Sequence, residues 1–87
     1  MADNKHKLSE ICPQLPKEPA HAYAAFGAYA LLGEKRSVAK LVEYYTVNKI
    51  LPKPPHRRTF DTYSQKFAWV ARCKEWDRYV LANLYVI

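Results

Sequence analysis

The sequence predicts a small all-α domain: a helix-turn-helix-like bundle of about four helices, with a proline-rich basic loop between the second and third. Three observations lead there. Apolar residues recur at helical spacing in four separate stretches. Only 2 glycines occur, so β-hairpin turns are poorly supplied. The 6 prolines gather near the start of the chain and in one central break.

At 87 residues the chain is one domain. A hydrophobic fraction of 49%, with 14% aromatic, is enough to fold without a metal or a disulfide framework and too much for a disordered chain. Residues 1–18 read as a flexible N-terminal arm, polar at first and then broken by Pro13 and Pro16. Within it, Leu8, Ile11 and Leu15 can dock on the body as one short turn. Residues 19–87 read as the helical domain.

The first helix is expected from Pro19 to Leu32, with proline at the position where its missing N–H costs nothing. Tyr23, Phe26 and Ala30 form its inward stripe, flanked by Ala22 and Tyr29. Gly27 inside it suggests a close helix crossing, and Gly33 fits a left-handed C-terminal residue. Ser37 caps a second helix, Val38–Val47, whose Val38, Leu41, Val42 and Tyr45 share one face. Residues 48–58 are the break: Pro52, Pro54 and Pro55 forbid a helix, and Ile50 and Leu51 are expected to anchor the segment to the core. Thr59 caps a short third helix, Phe60–Lys66, with Phe60, Tyr63 and Phe67 inward. The fourth runs from Trp69 to Tyr85, with Trp69, Cys73, Trp76, Val80 and Leu84 as its buried stripe.

Charge narrows the function. The net charge of +6 favours nucleic acid, an anionic membrane or an acidic partner. Residues 49–66 carry five basic groups and one acid, +4 of that +6. The basic groups cluster on a broken segment rather than along a helix face, which disfavours a membrane helix. The run from Ala20 to Gly33 is too short to span a bilayer, which needs about 20 apolar residues. Cys12 and Cys73 are too few for a secreted scaffold, and Cys73 reads as a buried free thiol in a reduced, cytoplasmic protein.

An enzyme is not expected. His6, His21 and His56 have no carboxylate at ligand spacing, so no metal or other cofactor is assigned. Glu75 and Asp77 are two apart on a helix and diverge, so they cannot share acid–base work. A basic stretch that runs into a short helix instead suits double-stranded DNA, where a recognition helix meets base edges and flanking arginines and lysines hold phosphates. A solvated basic loop kept for solubility is the alternative on composition alone.

The string Ala22-Tyr23-Ala24-Ala25-Phe26, Tyr29, Leu32-Gly33, Arg36-Ser37-Val38, then Tyr63-Ser64, Phe67-Ala68-Trp69, Arg72 and Trp76-Asp77, resembles a phage-type helix-turn-helix family that includes terminase small subunits. The resemblance covers residues 20–78. It implies a helical DNA-binding module in a bacterial host cell. For terminase small subunits it further implies recognition of a packaging site, a homo-oligomer and a large ATPase-nuclease subunit as partner. The link holding Lys53-Pro54-Pro55-His56-Arg57-Arg58 is longer here than in that family, and little chain remains for a separate assembly segment. DNA binding therefore carries over more directly than packaging. A phage or plasmid transcriptional regulator is the alternative in the same class, and a helical adaptor for an acidic protein the alternative outside it.

The expected DNA contacts are Arg36, Lys49, Lys53, Arg57, Arg58, Thr59 and Lys66, with Thr62 and Gln65 as candidates for base edges. Trp69, Trp76 and Asp77 read as structural, Asp77 by pairing with Arg72 or capping a helix. Residues 79–87 carry no charge. Leu81, Tyr85 and Ile87 cannot all face the core, so they are expected to meet another copy.

Overall fold

Each stretch with a helical apolar period forms a helix in the computed structural model, which describes residues 4–33, 35–53 and 55–84. In chain order the helices are α1 (Asn4–Ile11), α2 (Ala20–Ala30), α3 (Val38–Val47), α4 (Arg57–Lys66) and α5 (Trp69–Leu84). No described residue lies in a strand.

The described residues thus form five helices rather than four, because α1 forms where an arm is expected. Its Leu8 and the following Cys12 are buried, and α1 packs against α5. The Cys12 thiol donates to the Arg72 carbonyl at 3.3 Å, and the Tyr23 hydroxyl donates to the Cys12 carbonyl at 2.8 Å. Pro13 and Pro16 follow the helix instead of excluding one. The chain then turns back at Leu15–Glu18, where the Glu18 N–H donates to the Leu15 carbonyl at 3.0 Å.

Local signals set the other boundaries. Pro19 is the residue before α2, with extended backbone, rather than its first helical residue. Gly33 has φ 89, a left-handed conformation that glycine alone adopts without strain. Ser37 caps α3 as its hydroxyl accepts from the Lys40 N–H at 3.1 Å. Helix α4 starts earlier than expected: His56, not Thr59, is the cap, its Nδ1 accepting from the Arg58 N–H at 3.1 Å. Arg57 and Arg58 therefore belong to the first turn of α4 and not to the segment before it.

The core is aromatic and centred on Trp69, which is fully buried. Tyr29 lies 4.9 Å from its ring, Phe26 6.2 Å, Tyr63 6.4 Å and Phe60 6.5 Å. Helix α2 contributes Ala22, Ala25, Phe26 and Ala30, α3 contributes Leu41 and Tyr45, and α5 continues with Cys73 and Trp76. Two expectations fail at the margins. Val80 is 43% exposed, because the inward face of α5 passes instead through Tyr79, which stacks on Trp76 at 5.5 Å. Ile50 and Leu51 are also exposed and do not anchor the segment after α3.

The two glycines predict opposite mutational signs. A Cβ on Gly27 would meet the Leu8 Cδ2 at 3.7 Å, an ordinary contact, so no crossing here demands glycine. Gly27→Ala is expected to raise stability by up to about 1 kcal/mol through helix propensity. Gly33→Ala should lower it by about 1–2 kcal/mol, because the left-handed backbone strains any Cβ. Urea unfolding of the two variants checks both signs.

Candidate nucleic-acid interface

The candidate interface comprises the end of α3, the described residues of 48–56 and the opening of α4. Helix α3 closes with Asn48 as its last half-helical residue, and Lys49 follows at φ 50. The Lys49 N–H donates to the Thr46 carbonyl at 3.3 Å, and the Ile50 N–H to the Tyr45 carbonyl at 3.2 Å. These two bonds make a Schellman closure, whose left-handed position glycine ordinarily fills. Here a lysine fills it and points its charge to solvent. Lys53 is exposed in the following segment.

On α4, Arg58, Thr62 and Gln65 recur at i, i+4 and i+7 and are all exposed, so they line one outward stripe. Phe60 faces the other way, 5.1 Å from the Tyr45 ring, and fixes α4 against α3. His56, Arg58, Thr59 and Thr62 meet around a shallow open depression at the start of the helix. Thr59 is half-buried there and Arg57 is exposed beside it. No acid stands in the first turn of α4. Lys66, in the last turn, lies with its ammonium 5.6 Å from the Phe67 ring centroid.

Arg36 does not join this set. Both of its terminal nitrogens donate to Asp77 at 2.8 Å, and the guanidinium also donates to the Tyr29 carbonyl at 3.3 Å and the Ala30 carbonyl at 2.8 Å. Its side chain is 10% exposed. It closes the C-terminus of α2 and ties that end to α5, which commits its donors to the fold instead of to phosphate. Asp77 accordingly pairs with Arg36, not with Arg72. Of the residues expected at a contact between copies, Leu81 is exposed on α5, while Tyr85 and Ile87 lie outside the described residues.

The hydrogen bonds from Arg36 hold the Asp77 carboxyl below its ordinary value of 3.8. A carboxylate whose folded pKa is lowered adds stability above its unfolded pKa and loses it as pH falls through the folded one. Asp77 is half exposed, so the contribution is small. Asp77→Asn is expected to cost up to about 1 kcal/mol at neutral pH. The gap from the unsubstituted protein should close as pH falls below 3.8, read by thermal unfolding at a series of pH values.

A second ion pair joins residues that lie far apart in the chain. Among the described residues, Glu18 is a charged side chain buried in the core, and Arg72 donates to both its carboxylate oxygens, at 2.9 and 3.1 Å. Arg72 also donates to the Phe67 and Pro13 carbonyls at 3.2 Å, and its Cζ lies 4.0 Å over the Phe26 ring. This residue locks the turn after α1 to the corner between α4 and α5. Both thiols are buried: desolvation raises Cys12 and pushes Cys73 up to about 11, which leaves them protonated and inert at neutral pH.

No helix among the described residues is long and apolar enough to cross a membrane. The chain matches no protein-family model, no curated protein and no solved structure.

Proposed function

We propose that the protein binds double-stranded DNA through the described residues of 48–56 and the first turns of α4, with α3 and α4 serving as a helix-turn-helix-like pair. One observation carries this reading: basic side chains stand where the local backbone favours something else. Lys49 holds a left-handed position that glycine would fill without strain. Arg57 and Arg58 open α4, where the helix dipole favours acids. The two arginines cost stability at the N-terminus of α4 in isolation, and a phosphate set against that terminus offsets the cost because the free N–H groups and the cations then act on it together, while Lys49 adds a further exposed charge at the C-terminal end of α3. Lys53, Thr59 and Lys66 extend the phosphate contacts, and Thr62 and Gln65 reach base edges.

The biological role follows from the resemblance of residues 20–78 to terminase small subunits: DNA packaging in a bacterial host cell, by a homo-oligomer working with a large terminase subunit. A transcriptional regulator uses the same surface. The adaptor reading is favoured by a different feature, an apolar cleft of about 410 Å³ between α1, α2 and α3, lined by Leu8, Tyr23, Ala28, Leu31, Tyr44 and Ile50.

Two variants test the proposed DNA surface. Lys49→Gly is expected to stabilise the fold by about 1 kcal/mol and yet weaken duplex binding, opposite signs that a merely structural lysine would not give. Arg57→Ala with Arg58→Ala should weaken binding and flatten its salt dependence by up to about two phosphate equivalents. Titration against an unrelated duplex reads both. Unchanged affinity and slope in the double variant would place the DNA surface elsewhere.

A further inference from the structure

The outward face of α5 carries a stripe with an internal symmetry. Val70, Lys74, Asp77 and Leu81 follow one another at spacings of four, three and four, which is the seam spacing of packed helices. Val70 is 59% exposed and Leu81 55%, and Lys74 is exposed. Asp77 is 48% exposed even though Arg36 holds it. The stripe therefore reads apolar, positive, negative, apolar.

Such an order is complementary to its own reverse. When two copies of α5 run antiparallel about a dyad between residues 75 and 76, position 70 faces 81 and position 74 faces 77. Val70 of each copy then meets Leu81 of the other, and Lys74 of each meets Asp77 of the other. A parallel arrangement would instead set Lys74 against Lys74 and Asp77 against Asp77. From this charge complementarity we infer that the α5 stripe is the contact surface of a two-fold homodimer, with antiparallel α5 helices in this register.

Arg36 strengthens the case. Its two hydrogen bonds fix the rotamer of Asp77, so the carboxylate is presented to the incoming lysine already oriented. A carboxylate has lone pairs for more than two donors, so Arg36 and Lys74 of the second copy can share it. The flanking Glu75 and Arg78 pair with each other at 3.0 Å within the same helix, which leaves the central pairing to residues 74 and 77. A two-fold contact of this kind is isologous and closes at two copies. The inference does not depend on DNA binding, and its test contains no DNA.

The test is cross-linking of the full chain. Positions 70 and 81 are about 16 Å apart along one helix, so in an antiparallel pair residue 70 cannot reach residue 70 of the other copy. An equal mixture of Val70→Cys and Leu81→Cys proteins should form a disulfide dimer under mild oxidation, and neither protein alone should do so. The native thiols are buried and serve as the background control. Sedimentation of the unsubstituted protein should show a monomer–dimer equilibrium, and Lys74→Glu should raise its dissociation constant at least about tenfold. All three sites are exposed, and circular dichroism confirms that each variant is folded. A monomer at every concentration up to about 1 mM would overturn the inference. So would self-cross-linking by Val70→Cys alone as efficient as that of the mixture, or a Lys74→Glu protein that dimerises unchanged.

Discussion

Arg72→Ala is expected to cost about 3–5 kcal/mol of stability, because it leaves the Glu18 carboxylate buried without a counter-charge, with the Leu15 N–H at 3.1 Å as a remaining donor. The side chain of Glu18 is fully buried, and Arg72 supplies a bidentate contact to it. The same substitution removes donors to the Phe67 and Pro13 carbonyls and the cation lying over the Phe26 ring. A loss of that size is a large share of the roughly 5–15 kcal/mol that holds a domain together. Arg72→Met combined with Glu18→Gln should lose less than Arg72→Ala alone, since no unpaired charge then remains in the core. Urea unfolding followed by circular dichroism compares the two. Equal losses would show that the charge of Glu18 is solvated when Arg72 is absent.

Trp69→Ala should cost a comparable amount, about 3–5 kcal/mol, by opening a cavity among the rings of Tyr29, Phe26, Phe60 and Tyr63. Trp69→Phe is the informative contrast. It keeps an aromatic ring at the centre of the core, and it removes an indole N–H that has no hydrogen-bond partner there. Its expected cost is about 1–2 kcal/mol, well below that of alanine, because the unsatisfied donor offsets part of the lost volume. The same unfolding measurement decides it. A Phe variant as unstable as the Ala variant would mean that the full indole shape is required.

Elements with local signals were legible from the chain alone. Helix α3 is bounded by Ser37 and Val47 as expected, because a serine cap and a one-sided apolar period both act within a few residues. Gly33 was legible for the same reason: its left-handed backbone is a local property of a helix end. Helix α4 was displaced because histidine is a poor cap signal by type, yet an imidazole nitrogen reaches the Arg58 N–H as a carboxylate would. Helix α1 was missed because its residues are mostly polar and two prolines follow them; its burial depends on contacts with α5, far along the chain. The same distance hid the ion pairs. Glu18 lies 54 residues from Arg72, and Arg36 lies 41 from Asp77. No spacing rule links residues that only the packed bundle brings together. For the proposed DNA surface, the sequence located the basic segment, while the backbone added that Lys49 takes a left-handed conformation and that Arg57 and Arg58 open a helix whose dipole disfavours cations there.

If these residues neutralise DNA phosphates, titration of the full protein against an unrelated DNA duplex over a range of salt concentrations will show it. With Lys49, Lys53, Arg57, Arg58 and Lys66 each meeting a phosphate, log K should fall linearly with log salt with a slope of about −4.5. No affinity for any duplex at low salt, or an affinity that does not change with salt, would contradict the account.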